Sequence, residues 1–197
     1  MGCSGGSSGG GCIYPYPYIP PGGGIGIGGT FYFCFSTNTK MIVLEKNEEC
    51  KKSVSEIRKG DLVLTFDGKE KVFSKVIENK LNEGIFEFYE IQLKNGNNIS
   101  VTGNHTMIVF DKDAKEIKFK FACELKEGDL LRTTDGLHEI MKINNEMKYN
   151  SYQISTEKGT VLANDVLVST IYLEGIKNAK VCNRLIESVK IPIEIKN

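Results

Sequence analysis

The sequence predicts an all-β protein. Three observations carry that reading: short apolar or alternating runs recur after Cys34, turn signals separate them, and one phrase of the chain is written twice. Helical periodicity is weak except in Ala179 to Val189, near the end.

Taken in chain order, residues 1–33 hold twelve of the 21 glycines and four of the five prolines, and no charged side chain precedes Lys40. Such a segment cannot bury enough side-chain surface to offset its ordering entropy, so it reads as a disordered or extended low-complexity leader. Within it, Tyr14 to Tyr18 (YPYPY) suits polyproline-type recognition, against the plainer reading of a flexible tail. The opening MGCSGGS places Gly2 and Cys3 where myristoyl and palmitoyl chains would together anchor the protein to a membrane. Gly6 stands where that signal favours Ser or Thr, and Gly/Ser-rich sequence makes such matches by chance.

From Cys34 the strands begin. Met41–Leu44, Asp61–Phe66, Phe86–Leu93, Thr106–Phe110 and Ile117–Phe121 are apolar or alternating, with turns signalled at Asp67-Gly68, Asn95-Gly96, Asp135-Gly136 and Glu157-Lys-Gly159. SEIRKGDLVLTFDG, starting at Ser55, matches CELKEGDLLRTTDG, starting at Cys123, at a constant offset of 68 residues. Two β subdomains from one duplicated unit explain the match. Residues 34–172 then form one domain, and 173–197 are a short tail.

Composition narrows the function. With 25 basic and 25 acidic residues in 197, the chain lacks the positive field that a nucleic-acid groove needs. Its six cysteines (Cys3, Cys12, Cys34, Cys50, Cys123, Cys182) form no C-x-x-C pair and only His105 and His138 supply imidazole, so no metal site is expected. A disulfide framework is not expected either, because a domain this size can be held by its core and no secretory h-region precedes it. No cofactor is called for. No run approaches the roughly 18 apolar residues of a membrane span, and a cytoplasmic, reduced protein is the default, membrane-associated only through the lipidation signal.

CFST at Cys34, IRKGDLVL at Ile57, TGNH at Thr102 and GTVLANDVLVS at Gly159 follow one another as the motifs of Hint domains do. The stretch from Cys34 to about Tyr172 resembles that superfamily, which comprises inteins, bacterial intein-like domains and the autoprocessing part of hedgehog proteins. The resemblance implies a horseshoe of two pseudo-repeated β subdomains. It also implies self-cleavage: the Cys34 thiol attacks the carbonyl of Phe33 and replaces the peptide bond with a thioester. His105 would protonate the departing nitrogen, and the Thr102 hydroxyl would hold the scissile amide. The substrate is then the chain's own leader, released by water, a thiol or a sterol.

The residues fit that chemistry. A thiol with an ordinary pKa near ~8.5 is a capable nucleophile, and imidazole near ~6.5 can take or give a proton at neutral pH. Taken singly, a Cys is usually a small buried hydrophobe and a His in a turn is usually just hydrogen-bonded. Their position inside matching motifs, at a composition boundary, favours catalysis. Cys50, Cys123 and Cys182 read as packing or surface residues, and His138 as a strand residue.

The chain departs from the family pattern in three places. Splicing inteins end the last motif in His-Asn, whereas Ser169-Thr170-Ile171 stands here, so splicing should be blocked and the ending is similar to hedgehog-type domains. Phe33 occupies a scissile position usually held by Gly. Leu81 falls where sterol addition uses an acidic residue, with Glu78 and Glu83 near enough in sequence to substitute. An alternative of another class is a catalytically degenerate Hint-like module serving as a tethered binding or scaffold domain. A Cys/His protease acting in trans lacks the sequence surroundings of such enzymes.

Overall fold

The structure, a computed structural model, describes residues 33–171 and, beyond them, Ile186 alone. Most of the leader, with Gly2 and Cys3, and the helical periodicity of 179–189 (Ile186 apart) therefore lie outside the described residues.

Between residues 33 and 171 the chain is β throughout, with two three-residue 3-10 turns and no α-helix. Twelve strands follow in order: β1 (Phe35–Ser36), β2 (Lys40–Glu45), β3 (Glu48–Ser53), β4 (Leu62–Asp67), β5 (Glu70–Leu93), β6 (Asn98–Thr102), β7 (Thr106–Asp111), β8 (Glu116–Phe121), β9 (Leu130–Thr133), β10 (Gly136–Thr156), β11 (Thr160–Ala163) and β12 (Val166–Ser169). All pairings are antiparallel. β5 and β10 form the backbone of the molecule, pairing from Leu93↔Ile140 to Val76↔Thr156. β1 is held between β10 and β6, which brings the start of the domain against its centre.

The strand pattern extends further than the apolar runs indicate. The apolar pattern marks β5 only over Phe86–Leu93, because Glu70–Gly84 is mostly charged or polar, yet the strand starts at Glu70 and its first half is a largely solvated ribbon. β3, EECKKS, has no apolar alternation at all and is an edge strand paired only with β2. Charge on an edge strand blocks pairing with another chain.

The duplicated phrase folds twice in the same way. In each copy a Glu carboxylate accepts the backbone N–H three residues earlier, Glu56 from Ser53 at 2.7 Å and Glu124 from Phe121 at 2.8 Å. Each Asp of the Gly-Asp pair accepts an N–H three residues back, Arg58 to Asp61 at 2.8 Å and Lys126 to Asp129 at 3.0 Å. Gly60 and Gly128 take φ of 97° and 89°, a left-handed conformation that glycine adopts without a Cβ penalty. The phrase is therefore a structural turn, and its copies mark two subdomains related by pseudosymmetry. They share one core, in which Phe35, Val43, Ile91, Met107, Leu131 and Val168 are fully buried.

Candidate active site

The register of β1 with β6, Phe35 opposite Val101, places Cys34 beside Thr102. Two hydrogen bonds fix the pair: the Cys34 N–H donates to Thr102 Oγ1 at 2.9 Å, and the Thr102 N–H donates to the Cys34 carbonyl at 3.0 Å. The first involves the amide nitrogen of the Phe33–Cys34 bond. Phe33 itself is half-buried at the edge of the domain.

TGNH is a tight turn from β6 into β7. The His105 N–H donates to the Thr102 carbonyl at 2.9 Å, which closes it. Gly103 is required by a close approach, since a Cβ there would lie 2.8 Å from the Tyr89 ring. His105 is fully buried, its ring edge-on to that of Phe35 with centroids 4.6 Å apart. Neither ring nitrogen makes a full hydrogen bond, although the backbones of Ser169 and Cys34 lie against the imidazole and favour its cation. Burial outweighs them and pushes the pKa down to about 4, so the resting ring is neutral.

The Cys34 thiol is also fully buried, and desolvation pushes its pKa up to about 11. Three groups act the other way. The buried Ser151 hydroxyl near the sulfur lowers the pKa, the Asn82 amide donates a hydrogen bond to the sulfur at 3.3 Å, and Lys80 adds positive charge. The thiol and the imidazole are therefore both buried and both neutral at rest, with the Cys34 backbone against the ring.

The pseudosymmetry gives this turn a twin. Thr39 donates its N–H to Ser36 and accepts the Val54 N–H, as His105 donates to Thr102 and accepts from Ala122. In the twin the two side chains, Ser36 and Thr39, share a hydroxyl contact at 3.2 Å. One copy of the turn thus carries hydroxyls and the other carries Thr102 and His105.

Cys34, Thr102 and His105 lie together. Asn82 and Ser151 were missed by the sequence reading, because each is one polar residue in a polar strand with nothing to mark its inward face. Glu78 and Glu83, the substitutes considered for an acidic residue, are both exposed, as is Leu81, and the residue facing the thiol is the carboxamide Asn82. His138 lies in β10 opposite Leu131 and contacts Asp135 at 3.1 Å. Cys50 is half-buried with its thiol toward the Val43 carbonyl, and Cys123, in the second 3-10 turn, donates its N–H to the Gly103 carbonyl. No cluster of metal-ligating side chains occurs among the described residues.

At the other end of the domain the Ser169 hydroxyl accepts the Ile171 N–H at 3.0 Å, and the Thr170 hydroxyl contacts that of Thr156 at 3.0 Å. The Ser169 backbone touches the same His105 ring that lies against Cys34, so both ends of the domain converge on one imidazole.

The family model described as Hint module matches residues 27–194. Warthog protein 6 of Caenorhabditis elegans is 30% identical over 150 residues, 72% of this chain, and the match spans 25% of that protein's length. Among solved structures, an intein from a hyperthermophile superposes with a TM-score of 0.63 at 14% identity, covering 70% of this chain and 99% of that one. The gp41-1 intein does so at 0.56 and 21%, covering 71% and 99%. The bacterial intein-like domain from Clostridium thermocellum gives 0.56 and 21% over the same shares. At these identities the structures show a common fold.

Proposed function

The chain belongs to the Hint family, a family of self-processing domains, and on that footing we propose that it cuts its own backbone between Phe33 and Cys34. The observation that carries the reading is the Cys34 N–H held on Thr102 Oγ1 at 2.9 Å, with a buried imidazole against the same residue.

The thiol sulfur forms a bond to the Phe33 carbonyl carbon while the carbon–nitrogen bond to Cys34 breaks. The thiol proton must end on that nitrogen. Neutral His105 takes it from the sulfur side and gives it to the departing amine, so the imidazole returns unchanged. A low pKa suits this shuttle, because a resting imidazolium could not accept the proton. Thr102 orients the amide, and its bond to the nitrogen supports the developing amine. The product is a Phe33 thioester on Cys34, which water or a small thiol then releases. Exposed Glu78 and Glu83 leave a sterol hydroxyl without a carboxylate at the sulfur, which favours the simpler nucleophiles. Without an Asn at 169–171, the second scission of splicing has no cyclising residue. Acylation at Gly2 and Cys3 would leave the released leader on a membrane.

Intact mass after incubation with dithiothreitol tests the reading. A fragment beginning at Cys34 is expected from the folded chain, and none from Cys34→Ala. A folded chain that keeps its full mass would favour the unreactive binding module instead.

A further inference from the structure

We infer that Asn82 and Ser151 are catalytic residues, a two-donor cradle that carries negative charge on the Cys34 sulfur as it attacks. The inference rests on the proposed self-cleavage for its purpose, but its geometry stands apart from it. Asn82 on β5 and Ser151 on β10 are direct register partners, so their side chains leave the same face of the central ribbon. Ser151 is also paired with Ser36 of β1, which sets the ribbon against the residue after Phe35. Both are buried, at 6% and 0% exposure, in strands whose neighbouring side chains Leu81, Glu83 and Asn150 are exposed or half-exposed.

Their chemistry is complementary. The Asn82 Nδ2 group is a pure donor, and it donates to the sulfur at 3.3 Å. The Ser151 hydroxyl is buried without a hydrogen-bond partner, and it lies close enough to the thiol to lower its pKa. It can accept the S–H in the resting state and turn to donate once the proton has left. A buried sulfur anion loses the hydration that stabilises it in water, and hydrogen bonds to a charged acceptor are the strong kind. Thr102 and His105 serve the leaving nitrogen, so the two strands of the ribbon supply the half of the site that serves the nucleophile.

Iodoacetamide alkylation of Cys34 in the full chain, at pH 8 and counted on the uncleaved peptide spanning Phe33–Cys34, tests this. Asn82→Ala and Ser151→Ala both open space beside the thiol. If the residues only pack, alkylation becomes faster. If they hold the anion, it becomes slower, by about tenfold for each, and Ser151→Thr, which keeps the hydroxyl, restores most of the rate. Unchanged or faster alkylation in both Ala variants overturns the inference. Because the readout needs no cleavage, a slowed thiol in a chain that never self-cleaves would sink the proposed function and leave the cradle standing. Normal cleavage with faster alkylation would do the reverse.

Discussion

His105 is fully buried with a pKa of about 4, and Cys34 is fully buried with a pKa of about 11. Between those values the pair holds one proton, the thiol's, and in the proposed acyl shift that proton goes to the leaving nitrogen. The rate of thioester formation should therefore be flat from pH 6 to 9. A rate rising tenfold per pH unit across that range would mean free thiolate attack without the imidazole. His105→Gln should slow the step by roughly 10² to 10⁴, the usual worth of positioned acid–base help. Thr102→Val, which keeps the shape and loses one neutral hydrogen bond, should slow it only by a factor of a few to ten. The same burial has a cost in stability. Unfolded His takes a proton near pH 6.5, whereas the folded ring resists until about 4, so stability is complete above 6.5 and falls as pH drops through that window. The loss amounts to roughly 3 kcal/mol at the bottom of the window. Urea midpoints at pH 7 and 4.5 should differ in the parent chain and converge in His105→Gln.

At the scale of elements, the TGNH turn is shaped by what surrounds it. Gly103 lets the Tyr89 ring lie where a side chain would stand, so Gly103→Ala must displace either the ring or the turn. A loss of about 1–3 kcal/mol in urea unfolding, typical of overpacking, should accompany slower cleavage, and Tyr89→Leu in the same chain should recover part of both. This turn was legible in the sequence as a motif, and Thr102 and His105 with it. The cradle opposite was not. Asn82 and Ser151 lie on strands whose exposed faces carry Lys, Glu and Asn, and a period of two says which residues share a face without saying which face turns inward. The repeated phrase was legible because its Gly-Asp turn has one chemical solution, a left-handed glycine and a carboxylate taking a backbone N–H. The full length of β5 was hidden by the charge of its first half, and β3 by having no apolar residue except Cys50.

At the scale of the molecule, the all-β class and its two-fold repetition follow from those turns and from the apolar strands they separate. The closure of the domain does not. β1 is two residues long and leaves no periodic signal, yet its seat between β6 and β10 brings Cys34 to the centre. Ser169, at the end of β12, reaches the same imidazole. One His therefore faces both ends of the domain, and of the two residues against it only Cys34 carries a thiol. Scission at 169–171 is not expected, and mass spectrometry finding the free peptide from Ile171 to Asn197 would contradict that asymmetry. The thioester itself can be trapped with hydroxylamine, which cleaves thioesters under mild conditions that spare amides. The folded chain should yield a leader peptide ending in a Phe33 hydroxamate, and the Cys34→Ala chain should yield none. A folded parent chain that gives no hydroxamate, or a Cys34→Ala chain that still gives it, would contradict an acyl shift at Cys34.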